Sequence, residues 1–139
     1  MALKATNQGE LEMLARIVMK SSPGAGDTLM LRLYDNDITP AEGDTFLTMS
    51  ESDGAGYEAI PMTAASWTIS TGGGDTTSAT YAQQTFTYSG GDTLYGYYFT
   101  TKTEGGDTIL YWSERFSDGP YTIPGGGGTV KITPRIQLD

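Results

Sequence analysis

Several runs of this chain alternate apolar and polar residues with period two, the spacing of half-buried strands. Leu29, Leu31 and Leu33 alternate with Met30, Arg32 and Tyr34, which predicts a strand with its leucines inward. Val130, Ile132, Ile136 and Leu138 alternate with Lys131, Thr133, Arg135 and Gln137. Pro134 falls on that apolar face and cannot donate a ladder hydrogen bond, so residues 130–138 are predicted as one edge strand or a bulged one. Residues 80–88 are predicted as one strand with Ala82, Phe86 and Tyr88 on a common face and a wet or edge-facing opposite side. Trp67 to Ser70 reads as a strand ended by Gly72-Gly73-Gly74, and Tyr57 to Thr63 as a short one interrupted by Pro61. Phe46 to Met49 is weakly apolar and fits neither period.

The strongest pattern is LYGYYFTTKTEGGDTILYWSERF, Leu94 to Phe116. Leu94–Thr100 and Ile109–Phe116 are rich in aromatic and β-branched residues, which suit a pleated surface. The connection Thr101–Thr108 carries Gly105, Gly106 and Asp107, residues that accept turn geometry. A long β-hairpin is predicted. Strict alternation puts Tyr95, Tyr97 and Phe99 on one face and Leu94, Gly96 and Tyr98 on the other. In the second strand it sets Leu110, Trp112, Glu114 and Phe116 against Ile109, Tyr111, Ser113 and Arg115. Burying one aromatic is worth about 4–6 kcal/mol before entropy. A ribbon apolar on both faces belongs in the middle of a sheet, with another sheet on one side and room for a partner on the other.

Glu10 to Lys20 supports two readings. Leu11, Leu14, Ala15 and Val18 have helical spacing with acids early and Lys20 late, while Ile17-Val18-Met19 would equally open a strand. Gly-Asp-Thr recurs at Gly26, Gly43, Gly74, Gly91 and Gly106, at unequal spacings that exclude a solenoid. Each copy reads as a turn that opens a strand. The expected fold is all-β, an antiparallel β-sandwich or jelly-roll-like barrel of short strands, with residues 1–22 as an arm or short helix and 23–139 as a single domain.

Composition narrows the chemistry. The 139 residues include no cysteine and no histidine, which removes disulfides, thiolate zinc sites and histidine-based catalysis. A net charge of −9 opposes binding to nucleic-acid phosphates. No Lys or Arg lies between Arg32 and Lys102, so an acidic surface is expected there, either simply solvated or facing a basic partner. The opening residues lack an apolar signal core, and no run approaches the roughly 20 apolar residues of a membrane helix. The expectation is a soluble protein made in the cytoplasm, with no membrane partner.

Candidate sites are few. Asp35, Asp37, Glu42 and Asp44 resemble a calcium loop, but Pro40 stands where an EF-hand needs Gly and Phe46 where it needs Glu, so turn formation is the better reading. Gly125–Gly128 lacks the Lys of a phosphate loop and reads as a linker. Glu114 is the one carboxylate in an aromatic strand, a candidate acid if its pKa is raised, or a salt-bridge partner for Lys131 or Arg135. Tyr95, Tyr97 and Trp112 would serve as a glycan platform if exposed. No catalytic residue, metal site or cofactor is assigned.

The ordered motifs resemble a family. Leu29-Met30-Leu31-Arg32-Leu33-Tyr34-Asp35-Asn36 followed by Thr39-Pro40, then Tyr95-Gly96-Tyr97-Tyr98-Phe99, is similar to strands of small structural proteins of tailed bacteriophages. Leu110-Tyr111-Trp112-Ser113-Glu114-Arg115-Phe116 with Gly119-Pro120 and Ile123, and Gly128-Thr129-Val130-Lys131-Ile132-Thr133-Pro134, continue the likeness, which is dense from Leu94 onward. The resemblance implies a capsid decoration (cement) protein on the exterior of the virion, synthesised in the bacterial host cytoplasm. Its partners would be the major capsid protein and two further copies of itself, since head lattices offer local three-fold sites. In that picture Lys4, Arg16 and Lys20 of the arm contact the capsid, and Tyr95, Tyr97, Phe99, Trp112 and Phe116 form the subunit interface. A tail, neck or baseplate component and a glycan-binding module are the alternatives.

Overall fold

The computed structural model describes residues 4–6, 28–63, 66–71, 77–102 and 108–138. These form strands β1 (Lys4–Ala5), β2 (Thr28–Tyr34), β3 (Ile60–Pro61), β4 (Trp67–Thr71), β5 (Thr77–Tyr81), β6 (Gln84–Tyr88), β7 (Asp92–Leu94), β8 (Gly96–Lys102), β9 (Leu110–Arg115), β10 (Tyr121–Ile123), β11 (Gly128–Ile132) and β12 (Arg135–Leu138), with a 3-10 turn at Phe46–Thr48. The chain is all-β with antiparallel, sandwich-like sheets. The helix-or-strand segment Glu10–Lys20 lies outside the described residues.

The predicted hairpin is the heart of a five-stranded sheet ordered β1-β9-β8-β2-β3. β8 sits in the middle, paired with β2 from Thr28↔Lys102 to Tyr34↔Gly96 and with β9 from Gly96↔Arg115 to Thr100↔Leu110. Residues 4–6 of the expected arm are the sheet's outer edge: β1 pairs with β9, and the buried Thr6 donates its amide to the Tyr111 carbonyl at 3.0 Å and its hydroxyl to that of Leu110.

One bulge corrects the expected faces of the hairpin. Phe99 opposes Trp112 and Thr100 opposes Leu110, so Tyr111 is an extra residue in β9. An extra residue reverses side-chain parity beyond it. Tyr111 therefore joins Trp112 in the main core, their rings stacked 5.5 Å apart, while Leu110 turns to the other face beside Tyr98. A second reversal falls at Tyr95, where the chain passes from the β7–β10 pair into the central sheet. Leu94 enters the main core and Tyr95 packs with Tyr98, opposite to strict alternation.

Two predicted single strands are each two strands. Residues 80–88 divide into β5 and β6 around Ala82-Gln83, and residues 130–138 into β11 and β12 around Thr133-Pro134. Both breaks coincide: β6 pairs with β11 and β5 with β12, so one ribbon changes sheet at a shared corner. Pro134 supplies its carbonyl to the Tyr81 amide at 2.8 Å there. It is buried, and a ring without an N–H suits a position that has left the ladder. This ribbon brings Tyr81, Phe86, Tyr88, Val130 and Ile132 against Leu31, Leu33, Tyr97, Phe99 and Trp112 of the five-stranded sheet.

The other face of the central sheet is also covered, by the chain itself. Tyr34, Tyr98 and Leu110 form a second buried cluster with Met49, beneath the connection that follows β2. The room expected there for a partner is filled by residues 35–52. Met30 and Tyr34, expected to point outward, are 9% and 0% exposed.

Candidate functional site

The five aromatics expected at a subunit interface do not form a free surface. Tyr97, Phe99 and Trp112 are 6%, 0% and 8% exposed in one copy and belong to its main core. The opposing sheet, expected on one side of the hairpin, supplies their cover. Phe116 is half-buried beside them, packing on Tyr121 with centroids 4.8 Å apart, while Tyr95 is half-buried on the opposite face against the second cluster. The same burial removes the glycan platform, because two of its three rings have no open face. Of the expected capsid contacts, Lys4 lies in edge strand β1 opposite Ser113, and Arg16 and Lys20 lie outside the described residues.

Glu114 accepts a hydrogen bond from the Tyr97 hydroxyl. Burial, reinforced by this carboxylate, pushes the Tyr97 phenol well above its ordinary range. Glu114 thus holds a core tyrosine at the mouth of the sheet. Its half-buried side chain stands directly across the β8–β9 pair from Tyr97, on the same face of the sheet.

What the structure gathers instead is a set of braces around residues 35–52. Arg32 leaves β2 and places Nη1 2.7 Å from each oxygen of Glu51, with Nε donating to Thr100 Oγ1 at 3.0 Å. Its guanidinium lies 5.9 Å from the Phe46 ring centroid. Tyr57 donates its hydroxyl to Glu51 at 3.1 Å and accepts the Leu33 amide at 3.1 Å. Burial raises the Tyr57 phenol too, so it remains a donor at all ordinary pH. Ser52 bonds the Tyr88 hydroxyl at 2.9 Å and donates to Asp92. Burial lifts the Tyr88 phenol to about 12. Gly54 is needed beside this trio, since a Cβ would stand 2.8 Å from the Tyr88 ring and 2.9 Å from Asp92.

On the loop's other flank Arg115 pairs with Asp37 at 2.7 Å, donates to the Ile38 carbonyl at 2.8 Å and lies 5.2 Å over the Tyr95 ring. Within the loop, Asn36 bridges its two limbs, donating to the Thr48 carbonyl at 2.9 Å and accepting the Ser50 amide at 3.1 Å. Asp44 accepts the Ala41 amide at 2.7 Å, and Thr45 and Thr48 cap the 3-10 turn reciprocally. Of the four acids that resemble a calcium loop, Asp44 serves a turn and Asp37 an ion pair, and among the described residues no three potential metal ligands cluster.

At the apex of this braced loop stands Leu47, 90% exposed. The sequence signals it only weakly, as two adjacent apolar residues, Phe46 and Leu47, in a polar stretch behind Gly43-Asp44. Neighbouring positions on a tight turn cannot both face the protein. Phe46 packs inward against the second cluster and Leu47 faces solvent. Elsewhere a shallow groove of about 300 Å³ lies between Ile60–Pro61 and Thr85–Thr87, and another of about 310 Å³ beside Tyr121–Ile123 and Thr129–Lys131. Among the described residues no helix is long and apolar enough to cross a membrane. Comparison of the chain with family models, with curated proteins and with solved structures returns no match.

Proposed function

We propose that this chain is a structural protein of a bacteriophage virion, a decoration protein that binds the outer surface of the head and ties capsomers together. The supporting observation is how its reactive side chains are employed. Arg32, Glu51, Ser52, Tyr57, Asp92 and Arg115 all act as braces between loop and sheet. Such braces make a rigid β scaffold whose capability lies in its surface. The motif resemblance supplies the viral setting. In this reading the chain binds as a trimer at local three-fold positions, with Tyr95 and Phe116 the half-buried aromatics still open to a neighbour, and the arm cations Lys4, Arg16 and Lys20 directed at the shell.

Purified protein is expected to sediment at three times the chain mass and to co-pellet with heads lacking it. A monomer that leaves such heads bare would sink the reading. No observation favours a glycan-binding module, since two of its three platform aromatics, Tyr97 and Trp112, are core.

A further inference from the structure

An exposed leucine alone carries no information about function. Leu47 differs because of its mounting. It is the large hydrophobic side chain left in solvent among the described residues, on a 3-10 turn in which Phe46 is partly buried and no residue is fully buried. Yet the loop that carries it is held on one flank by Arg32–Glu51, on the other by Arg115–Asp37, and internally by Asn36 and Asp44. The loop itself is acidic. Asp35, Asp37, Glu42, Asp44 and Glu51 bring five negative charges, against two positive charges from Arg32 and Arg115, a formal net of −3. Both arginines are already engaged by Glu51 and Asp37. Glu42 is exposed, and Asp37 keeps 68% of its side chain in solvent.

We propose that residues 35–51 form a preorganised docking knob, with Leu47 entering an apolar socket on a second protein whose rim carries Lys and Arg. Charge complementarity fixes the chemistry of that rim: an acidic loop is repelled by another copy of this chain, which carries −9, and attracted by a cationic border. The inference rests on the decoration reading and adds to it a contact separate from the N-terminal cations. Rigid mounting matters because a pre-ordered loop loses little freedom on docking.

The test is co-pelleting of the full chain with heads that lack it, comparing wild type with Leu47→Asp, Leu47→Ser and Glu42→Lys. Leu47 and Glu42 are solvent-facing, so circular dichroism and thermal unfolding should match wild type. Leu47→Asp and Leu47→Ser should each weaken binding by at least ~10-fold, the scale of one buried leucine. Glu42→Lys should weaken it less and flatten its dependence on salt. Folded Leu47 variants that bind like wild type would overturn the inference while leaving the decoration reading intact. Wild-type protein that ignores the heads would overturn the decoration reading, and this inference with it.

Discussion

Three buried hydroxyls, those of Tyr34, Tyr98 and Ser113, have no hydrogen-bond partner among the described residues. Burying an unpaired hydroxyl costs about 1–3 kcal/mol, so deleting one can stabilise. Tyr98→Phe is expected to leave stability unchanged or raise it in urea unfolding. Tyr97→Phe, which removes the donor to Glu114, should instead lower it by roughly 1.5–3 kcal/mol, the range for bonds to charged groups. Equal effects would contradict the assignment. Gly96 makes the opposite point. A Cβ there would clash with the Glu114 carbonyl oxygen and with the Tyr34 ring and hydroxyl, which lie against the β8 backbone. Gly96→Ala is expected to cost more than about 2 kcal/mol through overpacking, measured the same way. The motif Tyr-Gly-Tyr-Tyr is visible in the sequence, but the reason for its glycine is a ring from another strand, 62 positions earlier in the pair Tyr34↔Gly96.

At the scale of elements, the loop after β2 behaves as a third layer over Tyr34, Tyr98 and Leu110. Its grip depends on two ion pairs, Arg32–Glu51 in partly buried surroundings and Arg115–Asp37 with the carboxylate largely in solvent. Arg32→Ala breaks the contacts to both Glu51 oxygens and Thr100, leaving Glu51 short of its counter-charge. Amide exchange in residues 35–52 should then accelerate by ~10-fold or more, while β6 and β11 on the far sheet keep their protection. Uniform acceleration would mean that the loop is no separable layer. Arg115→Ala should loosen the Asp37 flank in the same assay with a smaller effect, because Asp37 is mostly solvated and exposed pairs contribute little. The corner at Ala82-Gln83 and Thr133-Pro134 is another element-level device. It lets one antiparallel ribbon serve two sheets, which two uninterrupted strands could not do.

The whole molecule carries a pH signature. Tyr88 is raised by burial from 10.0 to about 12, and burial raises Tyr34, Tyr57, Tyr97 and Tyr98 as well. Above pH 10 the unfolded chain releases phenolic protons that the folded chain retains, so stability contributed by these groups is fully present below that pH and is lost as pH rises through the folded values. The unfolding midpoint should fall steeply between about pH 10 and 12, with absorbance at 295 nm showing the tyrosines ionise as the fold opens. Tyrosinate appearing well before unfolding would contradict the buried placement. The alternating leucines of β2, the aromatic hairpin and the Gly-Asp-Thr copies at β2 and β7 made the all-β class legible without coordinates, because period-two burial and turn chemistry are local properties; the copy at Gly43 opens the 3-10 turn instead. Local pattern also determined that both faces of the hairpin must be covered. It also pointed to a second sheet on one face, and only the tertiary structure decided that the other is covered by the chain's own 35–52 loop. A bulge at Tyr111 and a bend at Tyr95 exchanged the faces of Leu110 and Leu94, and a shared corner split two strands into four. Parity along a strand is a running count, and one extra residue, placed by contacts from distant strands, resets it.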